Sequence, residues 1–142
     1  MNIEDMINIR KINIIDSIED TIKVTNNTLS KLDKYRTCKI YTSFIHDELV
    51  KRNVVNHIVY TSDLGYSYGH EFVLVPYQGT YILIDLTYGQ FNREFPELLA
   101  KGYVVLDEDK WNYYMATFGD ELLLPKMDYV FGAEVKGNER SK

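Results

Sequence analysis

Three residues of this chain could together perform nucleophilic catalysis. Cys38 is the only cysteine, His70 follows Gly69, and Asp85 lies within the apolar stretch Ile-Leu-Ile-Asp-Leu. In this combination a thiol serves as the nucleophile, an imidazole as its base, and a carboxylate orients the imidazole. If the three side chains converge, the sequence predicts a cysteine-dependent acyl-transfer enzyme. If they do not converge, the sequence predicts only a small globular domain.

Each of the three residues also has an ordinary structural interpretation. A single cysteine on the apolar face of a helix is most often a small buried hydrophobe. His70, at the start of a strand, could be a half-buried histidine with a structural hydrogen bond. Asp85 is harder to explain this way, because an unpaired carboxylate within an apolar strand is costly. It needs a partner, and His70 is the nearest candidate.

The geometry of a predicted hairpin places Asp85 beside His70. Gln78-Gly79 is typical of a two-residue turn between antiparallel strands. With that turn, Phe72 faces Asp85 and His70 faces Thr87, so all four side chains share one face of the sheet. His70 and Asp85 become diagonal neighbours, about 7 Å apart at Cβ. A loop one residue longer would place them on opposite faces.

Cys38 is predicted to lie in the first turn of a helix. Thr37 is a suitable N-cap, and Lys51 and Arg52 favour the C-terminal end, after which Asn53 can adopt a left-handed cap. The unpaired N–H groups at a helix start stabilise a thiolate, and a neighbouring imidazolium lowers the pKa of the thiol further. The same N–H groups can form part of an oxyanion hole.

The remaining elements predict an α+β fold, with N-terminal helices packed on an antiparallel sheet. Apolar residues of the first third recur at three- and four-residue steps, which is typical of a helix that Asn26-Asn27 could interrupt. The later segments are, in order, the strand Val54–Thr61, the loop Asp63–Gly69, the strands His70–Tyr77 and Tyr81–Thr87, a short helix closed by Leu98–Gly102, the strand Tyr103–Leu106 and the capped helix Asp107–Phe118. We expect one domain over residues 1–137 and a polar tail at Asn138–Lys142.

Composition narrows the function further. The 142 residues include 45% hydrophobic and 26% charged residues, the balance of a globular domain with a substantial core. A formal net charge of −5 argues against a nucleic acid or an anionic membrane as the partner. No secretion signal or membrane-spanning run is visible, so we expect a cytoplasmic location, in the producing cell or in a target cell. The oligomeric state is left open.

Metal chemistry is a weaker interpretation. One cysteine excludes the multi-cysteine zinc sites, although a site of one Cys, one His and one carboxylate stays open. His46 lies two turns beyond Cys38 on the same helix, about 12 Å along its axis and too far to act as its base. His57 alternates with valines and has the pattern of an ordinary strand residue. We therefore expect neither a metal nor another cofactor.

Three motifs of the sequence together resemble those of a known protein superfamily. Cys38, then Gly-His-Glu-Phe-Val-Leu-Val from Gly69, then Asp-Leu-Thr-Tyr-Gly-Gln-Phe from Asp85, resemble the papain-like and transglutaminase-like cysteine superfamily. The last motif resembles that of YopT-type effector proteases and papain-fold bacterial toxins. The resemblance covers roughly residues 35–92. It implies a minimal papain-like core with Cys38 as nucleophile, His70 as general base and Asp85 as orienting acid.

The resemblance also implies a reaction, hydrolysis of a protein or peptide amide through a thioacyl-enzyme by a protease or glutamine deamidase. A leader peptidase, an acyl or amine transferase, and a non-catalytic binding domain of the same fold are the alternatives. Papain-type enzymes often place a Gln before the nucleophile for the oxyanion hole, and here Asn26, Asn27 or a backbone N–H would have to replace it.

Substrate selection is expected in the loops. Tyr66 and Tyr68 would form a wall of the cleft, or simply cover the sheet edge. Gln90 would stabilise the site from the far side, or hydrogen-bond its own loop.

Overall fold

The computed structural model describes residues 2–119, without the side chains of residues 4–12. Its helices and antiparallel sheet form the mixed α+β architecture that the sequence predicts. The helices are α1 (Ile3–Thr28), α2 (Cys38–Lys51), α3 (Pro96–Lys101) and α4 (Glu108–Met115). The strands are β1 (His57–Tyr60), β2 (Glu71–Tyr77), β3 (Thr80–Ile84) and β4 (Tyr103–Val105), in the spatial order β1-β2-β3-β4.

The helix ends follow local sequence signals, with one correction. Asn26-Asn27 does not interrupt α1, which continues through both residues to Thr28. Asparagine costs a helix only a fraction of a kcal/mol, roughly 0.7 at most, and the buried face of α1 offsets this. Asn53 has a φ of 61°, the left-handed conformation predicted for it after α2. Asp107 caps α4, as predicted, by accepting a hydrogen bond from a backbone N–H.

The β2–β3 hairpin has the predicted register. Tyr77 pairs with Thr80 across the turn. The φ angles of Gln78 and Gly79 are 50° and 78°, the positive values that a tight two-residue hairpin turn requires. Because this turn fixes the pairing along the hairpin, residues 70 and 85 come to the same end of the sheet.

The predicted strand Tyr81–Thr87 is too long at its C-terminal end. β3 stops at Ile84, so Asp85 is the first residue after the strand. The backbone N–H of Asp85 donates to the carbonyl of Gly102 at 3.1 Å, and its carboxylate Oδ1 accepts the N–H of Thr87 at 3.0 Å. Such an Asx turn competes with strand pairing and bends the chain away.

Both faces of the sheet are buried. Alternate residues of each central strand belong to two separate apolar clusters, and strict alternation means that the clusters lie on opposite faces. One cluster joins the sheet to α1 and α2 through Ile18, Ile45 and Leu49. The other joins it to α4 through Trp111 and Tyr114. The N-terminal helices therefore pack on the sheet as expected, and α4 covers its second face.

None of the helices within residues 2–119 combines the length and the apolar character needed to cross a lipid bilayer. The predicted tail at Asn138–Lys142 and the domain boundary at residue 137 lie outside the described residues.

Candidate active site

The structure brings His70 and Asp85 into direct contact at one end of the sheet. The Nε2 atom of His70 lies 2.8 Å from Oδ2 of Asp85, a hydrogen-bonding distance. Only 1% of His70 and 4% of Asp85 is exposed, so water does not compete for this bond. With Nε2 committed to the carboxylate, Nδ1 is the ring nitrogen left to face a nucleophile.

Asp85 is held by four hydrogen bonds. Its Oδ1 accepts the backbone N–H of Thr87 at 3.0 Å and the Thr87 hydroxyl at 3.2 Å. Its Oδ2 accepts the hydroxyl of Tyr114 at 2.7 Å, in addition to the His70 ring. A buried carboxylate is costly unless it is paired and hydrogen-bonded, and these donors satisfy both oxygens. They also fix the direction in which Asp85 meets His70.

Cys38 is the first residue of α2 and is partly exposed. Thr37 occupies the N-cap position as predicted, but its side chain does not cap the helix. The Thr37 hydroxyl instead donates to the carbonyl of Asp33 at 2.6 Å. The side chain of Thr37 therefore leaves the first N–H groups of α2 uncapped, so the partial positive charge of the first turn can act on Cys38.

The thiol and the imidazole shift each other toward an ion pair. A hydrogen bond to the His70 side chain is the largest cause that lowers the pKa of Cys38 below 9.0, and it outweighs burial, which acts in the opposite direction. For His70 burial is the largest influence and lowers the pKa. The charge and hydrogen bond of Asp85, followed by the contact with Cys38, outweigh it and raise the pKa to about 9. These directions favour a thiolate and an imidazolium at neutral pH.

Aromatic rings enclose the imidazole. The ring of Phe118 stacks on His70 with centroids 5.1 Å apart and an interplanar angle of 17°. The ring of Phe91 meets His70 edge to face at 4.8 Å. Tyr68 contacts both phenylalanines, at 5.5 Å and 6.5 Å between centroids, and is 47% exposed. Tyr68 thus forms an accessible outer surface of this enclosure, compatible with the predicted cleft wall.

Tyr66, the other predicted wall residue, lies in the core instead. It is 7% exposed, and burial raises its pKa to about 12. The backbone of Gly119 lies so close that a Cβ there would come within 2.7 Å of the Tyr66 ring. The structure does not bring Tyr66 to the surface beside Tyr68, because the chain after α4 covers it.

Gln90 connects the two loops that flank the site. Its Oε1 accepts the backbone N–H of Arg36 at 3.3 Å, across 54 positions of sequence. Arg36 precedes Cys38 by two residues and has a φ of 61°, so the bond holds a strained turn next to the thiol. Of the predicted oxyanion donors, Asn26 lines a cavity that Asp85 also touches, while Asn27 is simply exposed.

His46 and His57 make contacts of a structural kind. The Nδ1 atom of His46 lies 2.6 Å from Oδ1 of Asn56, and His57 pairs with Leu74 between β1 and β2. Within residues 2–119, no three His, Cys, Asp or Glu side chains are arranged to hold a metal ion.

Two cavities of about 410 Å³ and 140 Å³ lie away from the thiol. The larger is bounded by α1, the end of α2 and β2, and the smaller by α3 and the loop after β3. Neither Cys38 nor His70 lines either of them. A site for a macromolecule can be open, so the side-chain geometry at Cys38 rather than cavity size marks the candidate site.

Sequence reasoning missed two residues of the site, Tyr114 and Phe118. Tyr114 lies within the predicted helix Asp107–Phe118, whose pattern contains no link to Asp85, 29 positions away. The only available signal was the i, i+3, i+4, i+7 spacing of Trp111, Tyr114, Met115 and Phe118, which predicts a buried helical stripe but not what it covers.

No protein-family model, curated protein or solved structure matches this chain.

Proposed function

We propose that this protein is a papain-like cysteine hydrolase that cleaves an amide of a protein or peptide. One observation carries the proposal, the buried pair of His70 and Asp85 at 2.8 Å, with an imidazole that also lowers the pKa of the Cys38 thiol at the start of α2. A structural histidine needs neither a four-donor carboxylate nor a thiol at a helix start. Strongly perturbed titratable groups that act on one another are typical of catalytic sites.

In the proposed reaction, the Cys38 thiolate attacks the amide carbonyl carbon and forms a C–S bond. The carbonyl oxygen becomes an oxyanion, which backbone N–H groups at the start of α2 stabilise. The His70 imidazolium donates its proton to the amide nitrogen as the C–N bond breaks, leaving a thioester. Neutral His70 then takes a proton from water, which attacks the thioester. The C–S bond breaks, and the acid product leaves the thiolate and the imidazolium regenerated.

Asp85 holds the Nε2–H tautomer of His70 and stabilises its positive charge during both steps. Thr87 and Tyr114 keep the carboxylate in place. No step requires a metal or another cofactor.

Protease and deamidase activity differ only in the leaving group, which is a peptide amine in one and ammonia in the other. The partial exposure of Cys38 at the start of α2 leaves its thiol accessible to a macromolecular substrate. A leader peptidase would use the same chemistry on a peptide, and a transferase would replace water with an amine. A non-catalytic domain would retain the fold without thiol activation.

The test is to incubate the protein with mixed peptides and candidate protein substrates and to measure intact masses. New fragments identify a protease, and a gain of about one mass unit identifies a deamidase, because the acyl-enzyme is hydrolysed to a carboxylate in both cases. Cys38→Ala should abolish either change, whereas Ser43→Ala, an exposed position on the same helix, should retain it. Product formation that persists in Cys38→Ala would contradict the proposal.

A further inference from the structure

The segment around the nucleophile differs in charge from the rest of the chain. Residues 31–39 contain four cations, Lys31, Lys34, Arg36 and Lys39, and one anion, Asp33. The segment therefore has a formal charge of +3, while the other residues carry −8 of the total of −5. All four cationic residues are exposed. A local concentration of one sign against an opposite background creates a field that attracts a partner of the opposite charge.

The fold holds these cations close to the thiol. The hydroxyl of Thr37 bonds the carbonyl of Asp33 at 2.6 Å, which closes the turn that carries Lys34 and Arg36 onto the start of α2. The bond of 3.3 Å from the Arg36 N–H to Gln90 fixes the same turn to the loop beside the site. Lys39 follows Cys38 in the first helical turn, and its ammonium lies over the ring of Tyr60, 5.6 Å from the centroid.

Two carboxylates close to this segment accept hydrogen bonds from neutral donors and keep their negative charge. The carboxylate of Asp33 accepts the N–H of Tyr35 at 2.9 Å, and Glu71 accepts the hydroxyl of Thr42 at 3.3 Å. Glu71 is only partly exposed, and its charge acts on the Cys38 thiol, whose pKa it raises as the smallest of several influences. Neither residue forms a described ion pair with the four cations, so the positive charge of the segment is open to a ligand.

Exposed apolar rings accompany the charges. Tyr35 is 55% exposed and Ile40 49% exposed, on either side of Cys38, and Tyr68 presents its ring next to the His70 enclosure. A partner that binds here meets cations and apolar surface together, a combination suited to an acidic polypeptide that also carries apolar side chains.

We propose that the substrate of this site is an acidic peptide or an acidic segment of a protein. The inference rests on the proposed function, since it names the substrate of the same thiol. Lys34, Arg36 and Lys39 attract the negatively charged residues on either side of the scissile amide. Electrostatic attraction acts mainly on the association step and weakens as salt screens it, with a Debye length of about 8 Å at physiological ionic strength.

The experiment compares two thiol reagents, the anion iodoacetate and the neutral iodoacetamide, by their second-order rate constants with Cys38. The variant is Lys34→Gln with Arg36→Gln and Lys39→Gln, which leaves the backbone bond from Arg36 to Gln90 in place. The control neutralises three lysines outside this segment, Lys23→Gln, Lys51→Gln and Lys110→Gln, of which the last two pair with Glu48 and Glu97, and changes the net charge by the same amount. Each protein is measured at low and at high salt.

We expect the iodoacetate-to-iodoacetamide ratio to fall at least about threefold in the first variant, and to stay near wild type in the control. Added salt should lower the wild-type ratio. A glutamate-rich peptide should protect the thiol from iodoacetamide at lower concentration than its lysine-rich counterpart. An equal ratio in both variants, or equal protection by both peptides, would overturn the inference.

Failure of the proposed hydrolase would look different. A Cys38 of ordinary thiol pKa, with the anion preference intact, would refute the catalytic assignment and support an acidic binding partner. An activated thiol without anion preference would refute the acidic substrate and leave the hydrolase standing.

Discussion

Replacing Asp85 by Asn removes one charge with little change in shape, and the structure indicates how this would change the tautomer of His70. The amide oxygen can still accept both hydrogen bonds of Thr87, which places the amide nitrogen where Oδ2 stands. In the variant that amide nitrogen donates a hydrogen bond to Nε2 of His70, whereas in the wild type Oδ2 of Asp85 accepts a hydrogen bond from Nε2. The imidazole must then carry its proton on Nδ1, the atom that faces the thiol. In that tautomer His70 cannot accept the proton of Cys38.

The size of the effect follows from the pKa of His70. Asp85 is the main reason that this pKa is raised to about 9 against the opposing effect of burial. Without the carboxylate only the contact with Cys38 still opposes burial, so we expect the pKa to fall from about 9 back toward the ordinary 6.5, a change of about 3 kcal/mol in favour of the neutral ring. At pH 7 the imidazolium would then be a minority species. Because general acid–base catalysis contributes roughly 10²–10⁴-fold, we expect at least a 100-fold loss of turnover.

The assay combines nitrogen NMR of the His70 ring, which reports the tautomer, with the ultraviolet absorbance of the thiolate as pH is varied. Asp47→Asn, an exposed position on α2, serves as the matched control, and circular dichroism verifies the fold of both variants. A wild-type titration of the His70 ring in Asp85→Asn would refute the reasoning, because the carboxylate would then not govern the imidazole.

Three further predictions concern the surroundings of the pair. Tyr114→Phe removes one donor from the Asp85 carboxylate, which should raise the pKa of the His70 imidazole and move the alkaline limb of any Cys38-dependent activity upward, measured as rate against pH. Cys38→Ala leaves His70 with a raised pKa and no thiolate. A histidine whose pKa is raised in the folded state stabilises the fold fully below its unfolded pKa of 6.5, and this stabilisation is lost as the pH rises toward the folded pKa. In a denaturant titration, the free energy of unfolding of Cys38→Ala should therefore fall more steeply above pH 6.5 than that of the wild type. Gly69→Ala would place a Cβ 2.9 Å from Cζ of Tyr60, whose partly exposed ring must move aside, and should lower the free energy of unfolding by about 1 kcal/mol. An unchanged free energy of unfolding would contradict this packing.

The part of the site that sequence could predict depends on local rules. The two-residue turn at Gln78-Gly79 fixes the register of one hairpin, and with it the contact between His70 and Asp85. The helix start at Cys38 follows from the position of Thr37 and the apolar periodicity after it. Each of these inferences spans few residues, so periodicity and turn chemistry were sufficient.

The part that sequence could not predict depends on contacts between distant segments. Tyr114 reaches Asp85 across 29 positions, and its pattern predicts burial without naming a partner. Tyr66 and Tyr68 are two residues apart in one loop and both meet the chain near Gly119, yet Tyr66 is buried there while Tyr68, which packs on Phe118, stays exposed. The end of β3 was missed because strand propensity favours continuation, whereas the Asp85 side chain turns the backbone.

The central claim is that His70 activates Cys38, and the pH dependence of Cys38 alkylation by iodoacetamide tests it most directly. We expect the wild-type thiol to titrate below 9.0, and we expect His70→Ala to move the titration upward. His46→Ala, which removes a histidine bonded to Asn56, should leave it unchanged. An ordinary thiol titration in the wild type, or one that His70→Ala does not move, would contradict the account.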